Sequence, residues 1–158
     1  MSSITAGFAL LILSTLLGAS FAKKITDKKN FYKALLSFNH DLLIEVEFQK
    51  NDLISLLSRS YSSDDFNELL TQKSNLIKGD CFELIFPKYL KNNEHAELKD
   101  YFSKIGMQDS ITASTFLKRY GQIFSGIYSE ILQEEKVKGA LYKRMGVIIG
   151  IIACIIVI

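Results

Sequence analysis

The residues of this chain that could carry chemistry are two histidines, two cysteines and a few paired carboxylates. A metal centre needs several nitrogen, sulfur or oxygen ligands at matched spacing, and His40 has no second ligand-type residue three or four positions away on its helix. Cys81 lies in the polar body and Cys154 in the apolar tail, so no disulfide framework follows, and Cys81 reads as a packing residue in a reducing setting. Glu45/Glu47 and Glu134/Glu135 are too close in sequence to face one another on a helix. No phosphate-cradling G-x-x-x-x-G-K-[ST], no G-x-S-x-G and no H-E-x-x-H occurs. Enzymatic, metal and cofactor chemistry are therefore not expected, and any nucleotide-driven step belongs to a partner. A formal charge of only +2 also argues against a nucleic-acid partner.

The elements that position these residues are set by an uneven distribution of charge. All 19 Lys and Arg and all 17 Asp and Glu lie between Lys23 and Arg144, which leaves both ends uncharged and apolar. Residues 2–22, SSITAGFALLILSTLLGASFA, would reach about 31 Å as a helix and read as a transmembrane span. A secretory signal would need basic residues before the apolar run, whereas here Lys23, Lys24, Lys28 and Lys29 follow it. The positive-inside rule then keeps these lysines in the cytosol and the N-terminus outside.

Between the ends the pattern is helical. Thr26 or Asp27 is expected to start a helix over about 27–48, with Phe31, Leu35, Phe38, Leu42 and Val46 in one apolar stripe. Asn51 reads as the cap of a short helix ending near Arg59. Serines and aspartates at 62–65 begin another, over about 64–77. The ambiguous CFELIFPKYL at 81–90 reads as a short helix reset at Pro87, the single proline. A helix over 94–105 ends at Gly106, placed as a C-terminal glycine cap, and Asp109 is placed as the N-cap of the last helix.

That last helix is expected to run without a break over 109–158. Its first half carries Ile111, Phe116, Tyr120, Ile123, Phe124, Ile127, Ile131 and Leu132 at the 3.6 period. A basic cluster of Lys136, Lys138, Lys143 and Arg144 reads as the membrane surface, and GVIIGIIACIIVI as a short second span with the basic side chains snorkelling. Gly146-x-x-x-Gly150 and Ser14-x-x-x-Gly18 offer small-residue faces on which the two spans could pack. Whether the chain stays straight or bends at 138–140 is left open.

The arrangement resembles the stage III sporulation protein AB family, itself similar to the F-type platform domains of type II secretion and type IV pilus systems. The resemblance rests on Gly106-x-x-Asp109 before the long helix, on Glu134, Glu135 and Lys136, and on Lys143-Arg144 followed by Gly146 and a second glycine. Glu45-x-x-Phe48 and Asn51-Asp52-Leu53 add to it. The chain departs from the family pattern at Asp52, where a proline is expected, and at Ala113-Ser114, where glutamine is expected. The resemblance implies no catalytic residue. It implies a platform that couples a cytosolic ATPase to the other membrane proteins of a channel or secretion-like complex joining mother cell and forespore.

The resulting expectation is an all-α, two-pass cell-membrane protein: transmembrane helix 2–22, a cytosolic bundle of about six helices over 23–138, and transmembrane helix 139–158 continuous with the last bundle helix. Its partners would be the lipid bilayer, the ATPase and the complex's membrane proteins, on the mother-cell side, with oligomerisation left open. Turns at 60–65 and 90–94 are the expected ATPase-facing surface. The rival readings are a general secretion or pilus platform and a small membrane-tethered regulator that binds a ligand in its bundle.

Overall fold

A computed structural model describes residues 2–48, 53–79, 83–106 and 110–157; the side chains of 2–8, 10, 110, 111, 143, 153, 154, 156 and 157 lie outside that description. The described chain is all-α. Helix α1 spans Ser2–Glu47, α2 Leu53–Leu57, α3 Asp64–Lys78, α4 Asn92–Lys104, α5 Ser110–Glu134 and α6 Ala140–Val157, with a π-helical turn over Glu135–Gly139 between the last two. Two compact units result, Met1–Lys29 with Ser129–Ile158, and Asn30–Tyr128.

The first difference from the sequence pattern is that α1 does not stop at residues 26–27. Neither Gly nor Pro occurs between Ala19 and Glu47, so no residue there breaks the backbone ladder. Thr26 does not cap a new helix; its hydroxyl donates back to the Ala22 carbonyl at 3.3 Å, the arrangement of a threonine inside a helix.

In the Asn30–Tyr128 unit, α1 lays Phe31, Leu35, Phe38 and Leu42 into a core completed by Leu56 and Leu57, Phe66, Leu69 and Leu70, Leu98 and Phe102, and Leu117 and Phe124. Phe38 lies at the aromatic centre, with ring centroids 5.8 Å from Phe66 and 6.3 Å from Phe102. Local chemistry sets the helix ends. Ser63 accepts from the Phe66 N–H, and Gly79, in the left-handed region at φ 87°, returns its N–H to the Asn75 and Leu76 carbonyls. The Glu94 carboxylate accepts from the Lys91 N–H at 2.8 Å and closes the start of α4.

The expected helix at 81–90 is absent over its described part, 83–90. Those residues run back along α3: the Ile85 N–H donates to Gln72 Oε1 (2.8 Å) and the Tyr89 hydroxyl to Asp65 Oδ2 (2.6 Å). An extended strand-like chain covers that return at roughly 3.3 Å per residue, whereas a helix at about 1.5 Å would fall short. Pro87 has no N–H to leave unpaired there. Asp109 and Asn51 lie outside the described residues, as do Cys81 and the side chain of Cys154.

The expectation of two transmembrane helices is corrected. Among the described residues no helix is long and apolar enough to cross a membrane. The N-terminal run also continues without interruption into Lys23, Lys24, Asp27, Lys28 and Lys29 of the same helix. An integral membrane platform, the bilayer as a partner and a two-pass cell-membrane localisation with a cytosolic body fall with that expectation.

Phe66 is fully buried, so Phe66→Ala is expected to cost about 3–5 kcal/mol in urea unfolding. Phe48, 70% exposed, is expected to change stability by less than about 0.5 kcal/mol when replaced by alanine.

Candidate interaction sites

In the unit formed by the two chain ends, α1 and α6 run antiparallel and meet through residues without side chains. A methyl group added at Gly18 would lie 2.6 Å from the Tyr142 carbonyl oxygen and 3.2 Å from Gly146 Cα. One added at Gly146 would lie 2.9 Å from the Ser14 carbonyl oxygen. At Gly150 it would meet Ser14 Oγ and lie 3.1 Å from Leu11 Cα. Real Cβ atoms do not approach backbone as closely as at Gly18 and Gly146, so the seam needs glycine at those two positions, and at Gly150 a side chain would displace the Ser14 hydroxyl and press on Leu11. The structure thus brings Ser14, Gly18, Gly146 and Gly150 together. Phe21 and Tyr142 extend the contact, with ring centroids 5.9 Å apart.

The seam ends at the π turn. Glu135, its first residue, receives Lys29 Nζ at 2.7 Å and stands 3.5 Å from the Thr26 hydroxyl. The pair is about three-quarters buried, which shields it from screening better than a surface ion pair. Lys23, Lys24, Lys136, Lys138 and Arg144 are exposed; Lys24 Nζ sits 5.5 Å from the Phe21 ring centre and Lys138 pairs with Glu134 at 2.8 Å. The side chain of Lys143 is outside the description. Many large apolar side chains of this unit stay about half exposed, among them Ile12, Leu16, Leu17, Ile148, Ile149 and Ile152. Apolar surface of this extent is characteristic of a site of association.

In the Asn30–Tyr128 unit the turns at 60–65 and 90–94 are joined. Tyr61 donates through its hydroxyl to Asp41 Oδ2 (3.0 Å), and Asn67 brackets the Tyr61 backbone, accepting from its N–H (2.7 Å) and donating to its carbonyl (3.0 Å). Burial first, and the bond to Asp41 second, hold the Tyr61 hydroxyl well above its ordinary pKa, so it remains a donor. The Tyr89–Asp65 bond then ties the second turn to the first. Ser60, Ser62, Asp64, Asn92 and Asn93 stay exposed around this joint.

Sequence reasoning missed the polar centre of the core. Tyr101 donates to Asn39 Oδ1 (2.9 Å), and Asn39 Nδ2 donates to the Leu117 carbonyl oxygen (3.1 Å), all buried. A methyl group on Gly121 would lie 3.0 Å from Asn39 Nδ2, so glycine lets α5 approach α1. The only sequence signal was an asparagine inside the Phe31–Phe38–Leu42 stripe. Beside it, Leu36, His40, Leu43, Lys118 and Gln122 line an open groove of about 590 Å³. Lys118 there pairs with Glu47 at 2.8 Å, holding that carboxyl below its usual range. Gly106 has φ 82°, and a methyl group there would lie 2.8 Å from Leu53 Cδ2. No group of three or more His, Cys, Asp or Glu placed to hold a metal occurs among the described residues.

A comparison with protein families matches residues 3–158 to stage III sporulation protein AB. No curated protein and no solved structure matches.

Two substitutions at buried tyrosines are expected to act in opposite directions. Tyr101→Phe removes the donor to Asn39 and is expected to cost about 1–3 kcal/mol. The buried Tyr32 hydroxyl has no hydrogen-bond partner among the described residues, so Tyr32→Phe is expected to leave stability unchanged or raise it by up to about 1 kcal/mol. In the seam, Gly146→Val is expected to cost about 1–3 kcal/mol. Chemical unfolding of the three variants checks each sign.

Proposed function

The chain belongs to the stage III sporulation protein AB family, and from that premise we propose that it is a non-enzymatic scaffold of a sporulation assembly, docking that assembly's ATPase through the joined turns at 60–65 and 90–94. The observation that carries this reading is the Tyr89–Asp65 bond. It makes two segments distant in sequence into one surface, fastened from below by Tyr61–Asp41. Arg59 adds to the fastening, with Nη1 3.5 Å from Asp41 and Nη2 3.6 Å from Glu45 of α1. A surface held this way loses little side-chain and loop entropy when a partner binds, which favours specific docking. Apart from Lys91, the exposed side chains there are short and polar, suited to hydrogen-bonded recognition of a folded partner.

The test is co-purification of that assembly's ATPase by the full chain carrying Asp64→Lys and Asn93→Lys, singly and together. Both side chains are exposed, so the fold should survive, as circular dichroism would check. Recovery is expected to fall about tenfold or more in the double variant, roughly 1.4 kcal/mol of binding. Full recovery by the folded double variant would reject this docking face.

A further inference from the structure

The π turn sets which face of α6 meets α1. In an α-helix each residue advances about 100°, and a π turn is one residue inserted into that ladder. Ile131, buried, and Glu135, paired with Lys29 and Thr26, define the face of the last α5 turn that looks toward α1. In an unbroken α-helix Gly146 would stand about 60° and Gly150 about 100° away from Ile131 around the axis. With one inserted residue these angles become about −40° and 0°. The insertion is therefore what aims both glycines at Ser14 and Gly18. Without it, Met145 and Ile149 would occupy those angles, and both now lie about half exposed.

We propose that residues 135–139 form a two-register switch, latched in its π state by the Lys29–Glu135 pair. In the latched register the glycine face of α6 closes on α1. Release of the pair lets the turn anneal to α-helix, gaining regular hydrogen bonds, and α6 rotates by about a quarter turn. The rotated register turns Met145 and Ile149 toward α1 and presents the glycine face outward, where another helix can approach closely. Opening the ion pair is thus coupled to which face of the unit is offered to a partner. Val137, 70% exposed within the turn, is free of packing that would prevent the change.

Cysteine cross-linking in the full chain, in a Cys81→Ala/Cys154→Ala background, distinguishes the registers. Phe21→Cys with Tyr142→Cys, whose rings meet in the latched register, reports the latched form, and Phe21→Cys with Leu141→Cys the rotated one. Lys29→Ala and Glu135→Gln are each expected to raise the rotated-to-latched ratio about three- to tenfold, and the charge swap Lys29→Glu/Glu135→Lys to restore it. Deleting Val137 removes the inserted residue and leaves one α-helical register with Gly150 still facing Ser14. In that deletion the rotated cross-link should stay at background whether or not the latch is broken. The proposal is overturned if neither latch variant changes the ratio, if the deletion loses the Phe21–Tyr142 cross-link, or if latch variants raise the rotated cross-link equally in the deletion, which would mean general loosening.

Discussion

Helix α1 is the constraint on which both units depend. Its first half supplies Ser14 and Gly18 to the seam with α6, and its second half supplies Phe31, Leu35, Phe38 and Leu42 to the aromatic core. No residue between Ala19 and Glu47 can end it cheaply, so the residues that elsewhere would begin a helix, Thr26 and Asp27, are absorbed into it. Lys29, next to the point where the two units divide, is then available to Glu135 rather than to solvent.

The two units solve the packing problem differently. The Asn30–Tyr128 unit fills space with large rings: Phe38 against Phe66 and Phe102, and Tyr101 against Phe124 at 5.0 Å. Rings bury much apolar area per residue, which a small bundle needs. A buried polar chain, Tyr101 to Asn39 to the Leu117 carbonyl, ties α4, α1 and α5 together in one register. The unit of the chain ends removes side chains instead, so that backbones touch. Such a seam depends on angular phase more than on volume, because glycines rotated away are replaced by Met145 and Ile149, whose side chains would hold the two backbones farther apart.

Some of this was legible in the residues. The all-α class, the α3 and α4 helices, the Gly106 position and the apolar faces of α1 and α5 follow from periodicity and capping chemistry, and the family could be recognised from the order of these parts together with Gly106-x-x-Asp109 and Lys143-Arg144. The return of 83–90 along α3 was not legible. CFELIFPKYL has the apolar density of a helix or a strand, and only the distance it must cover excludes the helix. The uncharged ends were read as membrane spans because each is a charge-free apolar run. Among the described residues no helix is long and apolar enough to cross a membrane.

By itself, then, the sequence determined the local choices: where helices are favoured, where Gly79 and Gly106 turn the chain, and which faces are apolar, since these depend on neighbours within a few residues. Only the tertiary structure decided three things: that α1 runs unbroken, that Lys29 meets Glu135, and that an inserted residue at 135–139 aims Gly146 and Gly150 at Ser14 and Gly18. The physical reason is range. A π turn costs local hydrogen-bond regularity that no propensity scale would favour, and the contacts it makes possible are with residues more than a hundred positions away in the chain.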